Sequence, residues 1–230
     1  MLQLKATLIK RIASALVLAP LTIALIVLGG WYFIALILLA SIISLYELSH
    51  LIWRGKNRYA HLVFALVYLC LCFGAYIFVR FGFEHGAFMA IAVIVSVWAS
   101  DTGAYIFGKA FGGAKLAPKL SPKKTWAGFG GSMFSCALVL LIISYLGAHF
   151  GYNLMPMDPL GLSEVLIIIC AGLVIGAVGQ AGDLLMSYYK RRVDAKDTGN
   201  LIPGHGGLLD RIDALMLVCP VFLGFLLLCH

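Results

Sequence analysis

The chain has 230 residues, of which 62% are hydrophobic and only 12% are charged, and its mean hydropathy is +1.00. A soluble domain of this size carries far more charge on its surface, so the composition excludes a soluble enzyme and indicates a polytopic membrane protein. The net charge of +7 comes from short polar loops, none long enough for a separate soluble domain. We therefore expect one integral membrane domain, residues 1–230.

Seven apolar runs follow one another, each near the ~20 residues that a helix needs to cross the hydrocarbon core. We predict an all-α transmembrane bundle with spans Ile12–Leu28, Trp31–Trp53, Ala60–Val79, Gly86–Phe107, Trp126–Leu146, Val165–Tyr189 and Ile212–Leu228. Basic residues precede the first run, as in a signal peptide, but no small-residue cleavage site ends it, so we expect a retained span. The six cysteines lie inside predicted spans or, for Cys229, directly after one, and apolar packing is their expected role.

Basic residues are distributed very unevenly between the two sides of the predicted bundle. With the N-terminus in the cytoplasm, every one of the 17 lysines and arginines except Arg80 falls on the cytoplasmic side. This bias satisfies the positive-inside rule and predicts an outward-facing C-terminus. Residues 1–95 then supply N-terminal spans, and residues 96–230 form a catalytic part with two long cytoplasmic loops, 108–125 and 190–207.

The spans that precede the two long cytoplasmic loops each carry an aspartate near the cytoplasmic end. Asp101 comes six residues before the end of span four, and Asp183 six before the end of span six. At the rise of an α-helix, both then lie about 9 Å below the cytoplasmic mouth. Carboxylates inside a membrane are costly and usually functional, so we predict one shared polar cavity. The alternative is that Thr102, Ser187 or a neighbouring helix simply satisfies each carboxylate.

The first long loop ends in a segment rich in hydroxyls and lysines, directly before span five. Such residues at a helix N-terminus suit phosphate binding, and we assign this role to Ser121, Lys123, Lys124 and Thr125. The alternative is an ordinary cytoplasmic flank that binds anionic lipid headgroups. The segment is not a Walker A loop, because that pattern is absent from the sequence.

Span six carries small residues three or four positions apart: Gly172, Gly176, Gly179 and Gly182. Such a stripe lets another helix approach closely, so we interpret it as a packing surface. It would also hold the neighbours of Asp183 in place.

The end of span six and the start of span seven carry the densest polar chemistry. Asp183, Ser187 and Lys190 share one helix face because they are four and three residues apart. Asp210 and Asp213 open the next helix, where the helix dipole favours negative charge. Three carboxylates in one cavity repel one another unless a divalent cation lies among them, and hard oxygen ligands indicate Mg²⁺.

Between these helices lies a glycine-rich stretch, residues 203–207, whose backbone is free to turn several N–H groups towards an anion. We interpret it as a phosphate loop in which His205 contacts phosphate, with a mobile turn as the alternative. Glu47, near the cytoplasmic end of span two, is a weaker candidate for the rim of the cavity.

The similarity to a known family lies in Ser187–Arg191, Lys196–Gly199 and Pro203–Asp213. Together these segments resemble the motif of the bacterial phosphatidate cytidylyltransferases, also called CDP-diacylglycerol synthases. Trp98–Tyr105 and Lys115–Trp126 are also similar to that family. The resemblance covers the C-terminal two thirds of the chain, whereas the earlier part agrees only as apolar spans.

The resemblance implies Mg²⁺-dependent transfer of CMP from CTP to phosphatidate, giving CDP-diacylglycerol and pyrophosphate in the bacterial cytoplasmic (inner) membrane. It implies a metal centre of Asp183, Asp210 and Asp213, a second, monovalent cation such as K⁺, and a homodimer in membrane lipid, with no nucleic acid. By position, Ser187 and Lys190 join the three aspartates as catalytic residues. The remaining substrate-binding residues are Asp101, Arg191, Lys196, Asp197, His205, Gly206, Gly207 and Arg211.

Two positions depart from the usual family pattern. Met186 stands where a glutamate is usual, and Ala127 where Glu or Gln is frequent. The first departure removes a contact to metal or substrate, but the predicted ligand set is intact, so we expect activity.

Two other classes of protein stay open. A catalytically silent relative would act as a membrane scaffold, and a small ion-coupled transporter would use Asp101 and Asp183 as an ion path. The transporter is disfavoured because the sequence has no internal repeat. A CDP-alcohol phosphatidyltransferase is disfavoured because the Asp-rich pattern of that family is absent.

Overall fold

A computed structural model describes the backbone of residues 2–152, 154, 161–202 and 206–229, with side chains at 14 and from 16 onwards in these ranges. The described residues form seven helices: α1 Leu2–Leu28, α2 Gly30–Trp53, α3 Arg58–Phe81, α4 Gly86–Phe111, α5 Trp126–His149, α6 Leu162–Arg191 and α7 Leu209–Cys229. The predicted helical membrane bundle is thus confirmed. The structure adds one small antiparallel hairpin, made of β1 Lys115–Ala117 and β2 Ser121–Thr125.

Six of the helices, α2 to α7, are long and apolar enough to cross a membrane. In α1 the apolar portion found among the described residues is shorter, Leu16–Leu28, so the first predicted span is the least supported. The helices also run past most of the predicted limits, since polar residues at the ends of spans continue the helical hydrogen bonding.

The segment predicted to lie directly before helix five forms a strand. Lys115 pairs with Thr125 and Ala117 with Ser121, so residues 121–125 belong to the hairpin. Helix α5 begins immediately afterwards, and the Thr125 hydroxyl accepts the Gly128 N–H at 3.1 Å as its N-cap. Thr125 therefore has a structural task, because it satisfies one of the unpaired N–H groups of the first helical turn.

The glycine stripe of α6 brings two helices against it. A Cβ atom at Gly176 would lie 2.7 Å from Met133 Cα and 2.8 Å from Ser132 O of α5. One at Gly182 would lie 2.6 Å from Asp213 O of α7. Close approach through small residues is confirmed, and it holds the start of α7 against the part of α6 that carries Asp183.

Arg80, the one basic residue predicted on the outer side, satisfies the end of α1. Its Nε donates to Ile26 O at 2.7 Å and its Nη2 to Val27 O at 3.3 Å. These carbonyls lie in the last turn of the helix, where intrahelical donors are absent. Arg80 thus joins α3 to α1.

We expect Gly176→Ala to lower the free energy of unfolding by about 1–3 kcal/mol, because the added methyl group meets backbone that cannot yield easily. Thermal unfolding of the purified protein in detergent measures this loss. Gly224→Ala in α7 is the matched control, since a Cβ there meets nothing within 4 Å. Alanine is also the better helix former, by about 0.8–1 kcal/mol. Equal midpoints for the two variants would contradict the tight contact between α5 and α6.

Candidate active site

An ion pair joins the hairpin to α6. Lys124 Nζ on β2 lies 2.7 Å from Asp183 Oδ2, with the two side chains 15% and 32% exposed. The same ammonium donates to Gln180 O at 3.4 Å. On the other carboxylate oxygen, Asp183 Oδ1 accepts the Ser187 hydroxyl at 3.3 Å, as their shared helix face predicts. A cation therefore already lies against Asp183, which shows that the position suits positive charge.

The structure brings Asp101 to the same place. The carboxylate on α4 interacts electrostatically with Asp183, Lys124 and Arg211. The prediction that each aspartate lies six residues before the end of its helix was wrong, because α4 continues to Phe111 and α6 to Arg191. Asp101 is consequently ten residues before its helix end and Asp183 eight, yet the two carboxylates still face one site.

Asp213 completes a group of three carboxylates from three helices. It lies near the start of α7, where its Oδ1 accepts the Ala214 N–H at 2.8 Å. It interacts electrostatically with Asp183, Asp101 and Lys190. The close contact of Gly182 with the α7 backbone explains this proximity. Asp101, Asp183 and Asp213 thus form what we call the carboxylate cluster.

Asp210 has a different environment. Its Oδ1 lies 2.8 Å from Lys190 Nζ, and the two side chains are only 4% and 11% exposed. Its Oδ2 accepts the Thr198 N–H at 2.7 Å, the Thr198 hydroxyl at 3.1 Å and the Gly207 N–H at 3.1 Å. Lys190 and two backbone N–H groups donate to this carboxylate, and the Thr198 hydroxyl is within donating distance as well. A metal role for Asp210 would require Lys190 to move, so that role stays a prediction.

Sequence reasoning underestimated Glu47 and missed Thr198. Glu47 on α2 is 3% exposed and reaches across the bundle to the loop before α7. The available signal was a carboxylate within an apolar span, which the membrane makes costly unless it has partners. Thr198 had no such signal, because a loop threonine is ordinary in sequence.

The remaining predicted residues lie mostly at the surface, and Arg191 has the clearest contacts among them. Arg191 Nε donates to Leu120 O at 3.3 Å and its Nη1 to Ala195 O at 3.1 Å, which ties the hairpin to the end of α6. Lys123, Lys196, Asp197 and Arg211 are exposed, and Ser121 is half-buried. Substrate contacts of these residues stay predictions.

The glycine loop is described at its edges, and His205 lies outside the described residues. Ile202 and Gly206 exchange backbone hydrogen bonds of 2.9 and 3.2 Å. Gly206 has φ +89°, which a side chain rarely tolerates. Gly207 donates to Asp210 as described above. The backbone conformation here is thus consistent with the prediction that this loop needs glycine.

Met186, where the resemblance predicts a glutamate, is completely buried in the apolar core. Its thioether packs with hydrophobic neighbours, and a carboxylate there would need a partner of its own. Ala127 lies in the first turn of α5 and is half-buried.

The oxygen donors suit Mg²⁺ in an open mode of binding. Within the described ranges, no three Asp, Glu, His or Cys side chains close into a metal cage. Mg²⁺ usually keeps several waters and binds through one or two carboxylates plus substrate phosphates. The carboxylate cluster fits that mode. Asp183 already makes an ion pair with a cationic group, and Asp213 interacts electrostatically with Asp183.

Comparison with known proteins gives the family. Residues 53–229 match the cytidylyltransferase family. A phosphatidate cytidylyltransferase of Rickettsia bellii is 34% identical over 220 residues, 94% of this chain and 90% of that protein. A protein of the same name from Haemophilus influenzae is 36% identical over 198 residues, 84% of this chain and 64% of the relative. One from Bacillus subtilis is 40% identical over 163 residues, 71% and 56% respectively. The chain therefore belongs to the cytidylyltransferase family and is an enzyme of the nucleotidyltransferase class.

Proposed function

We propose that the protein is a phosphatidate cytidylyltransferase of phospholipid biosynthesis, which uses Mg²⁺ to transfer CMP from CTP to phosphatidate. The products would be CDP-diacylglycerol and pyrophosphate. The observation that carries the proposal is the carboxylate cluster of α4, α6 and α7 with Lys124 paired to it. The names of the relatives support the choice of substrates.

Asp183 and Asp213 are the residues that we propose hold Mg²⁺, with Asp101 close enough to tune the charge around them. When bound, Mg²⁺ would neutralise phosphate charge and polarise the phosphoryl group. Asp210 would act indirectly, by fixing the loop before α7. The monovalent cation such as K⁺ and the homodimer that the resemblance implies stay predictions.

The chemical demand on the protein is positioning and charge neutralisation. Phosphatidate already carries a nucleophilic phosphate oxygen, so no proton has to be removed from it. That oxygen attacks the α-phosphorus of CTP, a new P–O bond forms, and the bond to pyrophosphate breaks. The acyl chains stay in lipid, beside the membrane-spanning helices.

Cationic side chains of the hairpin and of α7 would hold the triphosphate. Lys124 would turn from Asp183 to the phosphates, and exposed Lys123 and Arg211 would add positive charge beside it. Ser187 would keep Asp183 oriented through its hydroxyl. Lys190, which the resemblance implies to be catalytic, makes an ion pair with Asp210, so we propose that it acts by holding that carboxylate.

The transporter alternative loses support from the helices themselves. Both α4 and α6 run without interruption through Asp101 and Asp183. Transporters commonly bind ions where spanning helices are broken, because unwound backbone supplies the ligands. A catalytically silent scaffold would differ from the enzyme only in lacking turnover, so an activity assay distinguishes the two.

The orientation that we propose places the site at the cytoplasmic face of a bacterial inner membrane. It is supported by the clustering of basic residues in loops at this end of the bundle. A reporter enzyme fused after residue 230 should behave as exported, because the C-terminus then faces outwards. A reporter active only in the cytoplasm would contradict this orientation.

We expect pyrophosphate release by the purified protein with phosphatidate, Mg²⁺ and CTP, and little release with ATP, GTP or UTP. Lipid product should appear in equal amount, and EDTA should abolish both signals because metal charge is required. The same assay without phosphatidate is the control for nucleotide hydrolysis. Folded protein that turned over no nucleotide would refute the enzyme and favour the scaffold.

We expect Asp183→Asn and Asp210→Asn to fail in different ways. Asp183→Asn should lower kcat/KM at least 100-fold and raise the Mg²⁺ concentration needed, with a nearly unchanged unfolding midpoint. Asp210→Asn should lower stability by about 3 kcal/mol or more, because it leaves the buried Lys190 charge unpaired. Mg²⁺ titrations and thermal unfolding in detergent measure both effects. Normal turnover by Asp183→Asn at ordinary Mg²⁺ would overturn the metal assignment.

A further inference from the structure

A carboxylate outside the family match lies at the base of the candidate site. Glu47 is on α2, before the matched residues 53–229, and it is almost fully buried. Its Oε1 accepts the Leu208 N–H at 2.9 Å, and its Oε2 accepts the Leu209 N–H at 2.9 Å. Oε2 also accepts the Thr198 hydroxyl at 2.9 Å. Thr198 and Leu208 belong to the segment between α6 and α7, and Leu209 is the first residue of α7.

The contacts of Glu47 fix the N-terminal end of α7. The first N–H groups of a helix have no intrahelical acceptor, and a carboxylate against them is favoured by hydrogen bonding and by the helix dipole. The carboxylate comes from another helix, so it holds α7 at one height relative to α2. Asp213 lies one turn further along α7, and its position follows from that anchor.

Thr198 joins Glu47 to the Asp210–Lys190 pair. The Thr198 hydroxyl lies between Glu47 Oε2 at 2.9 Å and Asp210 Oδ2 at 3.1 Å. A hydroxyl has one hydrogen, so it donates to one carboxylate at a time while the Thr198 N–H holds Asp210. Glu47, Thr198, Asp210 and Lys190 therefore form one connected anchor for the loop.

The backbone packs closely around Glu47, which leaves little room for another arrangement. A Cβ atom at Gly207 would lie 2.5 Å from Glu47 Oε2, and one at Gly199 2.9 Å from Glu47 Oε1. Glycine at both positions lets the loop wrap the carboxylate. This explains two glycines of the loop by their neighbour, in addition to any contact with phosphate.

We propose that Glu47 is a positioning residue of the active site, which places the loop and Asp213 by holding Thr198 and the first turn of α7. The inference rests on the proposed cytidylyl transfer, because its kinetic consequence is measured there. Its structural consequence is independent of the reaction: without the carboxylate, the loop between α6 and α7 opens more often.

The test uses Glu47→Gln in the full chain. Glutamine keeps the volume but offers one acceptor oxygen and an NH₂ group that faces N–H donors, so part of the anchor is lost. We expect KM for CTP to rise at least tenfold, with a smaller change in kcat. Trypsin cleavage after exposed Lys196 should become at least fivefold faster, which reports loop opening without any turnover.

Glu164→Gln is the matched control. Glu164 is also a buried carboxylate, 8% exposed, but it lies in the first turn of α6, at the other end from Asp183. Its Oε2 accepts the hydroxyl of the neighbouring Ser163 at 2.9 Å. We expect wild-type KM and wild-type cleavage after Lys196. Glu47→Asp, which keeps the charge, should recover part of the loss caused by Glu47→Gln.

Thr198→Val tests the same anchor without removing a buried charge, so it serves if Glu47→Gln does not fold. Thr198→Val should accelerate cleavage and raise KM, in both cases less than Glu47→Gln does. The effects of the two substitutions should not add in the double variant. Wild-type KM and cleavage in Glu47→Gln would overturn the proposal, as would a loss of kcat at constant KM. An inactive wild type would instead refute the proposed reaction, while the cleavage assay would still decide the role of Glu47.

Discussion

Buried negative charge is the constraint on which this structure depends. In the interior of a helical membrane bundle, a carboxylate without donors or a cation costs several kcal/mol, so each one forces a partner into place. Glu47 binds the loop and the start of α7 to α2 by hydrogen bonds. Asp210 binds Lys190 of α6 beside them through an ion pair. The ends of three helices that are distant in sequence are thereby held together.

The acidic residues fall into two groups with different consequences. The carboxylate oxygens of Glu47 and Asp210 already accept hydrogen bonds from protein donors. They can therefore fix the geometry of the loop but have little capacity to bind a ligand. Asp101, Asp183 and Asp213 repel one another, and Lys124 makes an ion pair with Asp183. Unsatisfied repulsion is costly in a resting protein, and it makes a site attractive for a cation. Under the proposed function, the chemistry would belong with the second group, and the first group would hold it in place.

The sequence predicted those features that depend on local periodicity. The apolar runs gave the helices, the glycine stripe gave the close contacts of α6, and the spacing of Asp183 and Ser187 gave their hydrogen bond. Pairings between distant segments could not be predicted from local periodicity. Lys190 shares a helix face with Asp183 but binds Asp210, because its long side chain reaches the first turn of α7. The hairpin pairing of Lys115 with Thr125 likewise depends on tertiary contacts that no local pattern encodes.

The position of Glu47 also changes how the first helices should be understood. The sequence divides into N-terminal spans, 1–95, and a catalytic part, 96–230, and the family match begins only at residue 53. Yet the hydrogen bonds of Glu47 cross that division and end on Leu208 and Leu209. An α2 that acted only as a lipid-facing span would need no charge here, since leucine would pack at lower cost. The early helices are therefore coupled to the site through one carboxylate, and variation in α2 is expected to alter substrate affinity as well as stability.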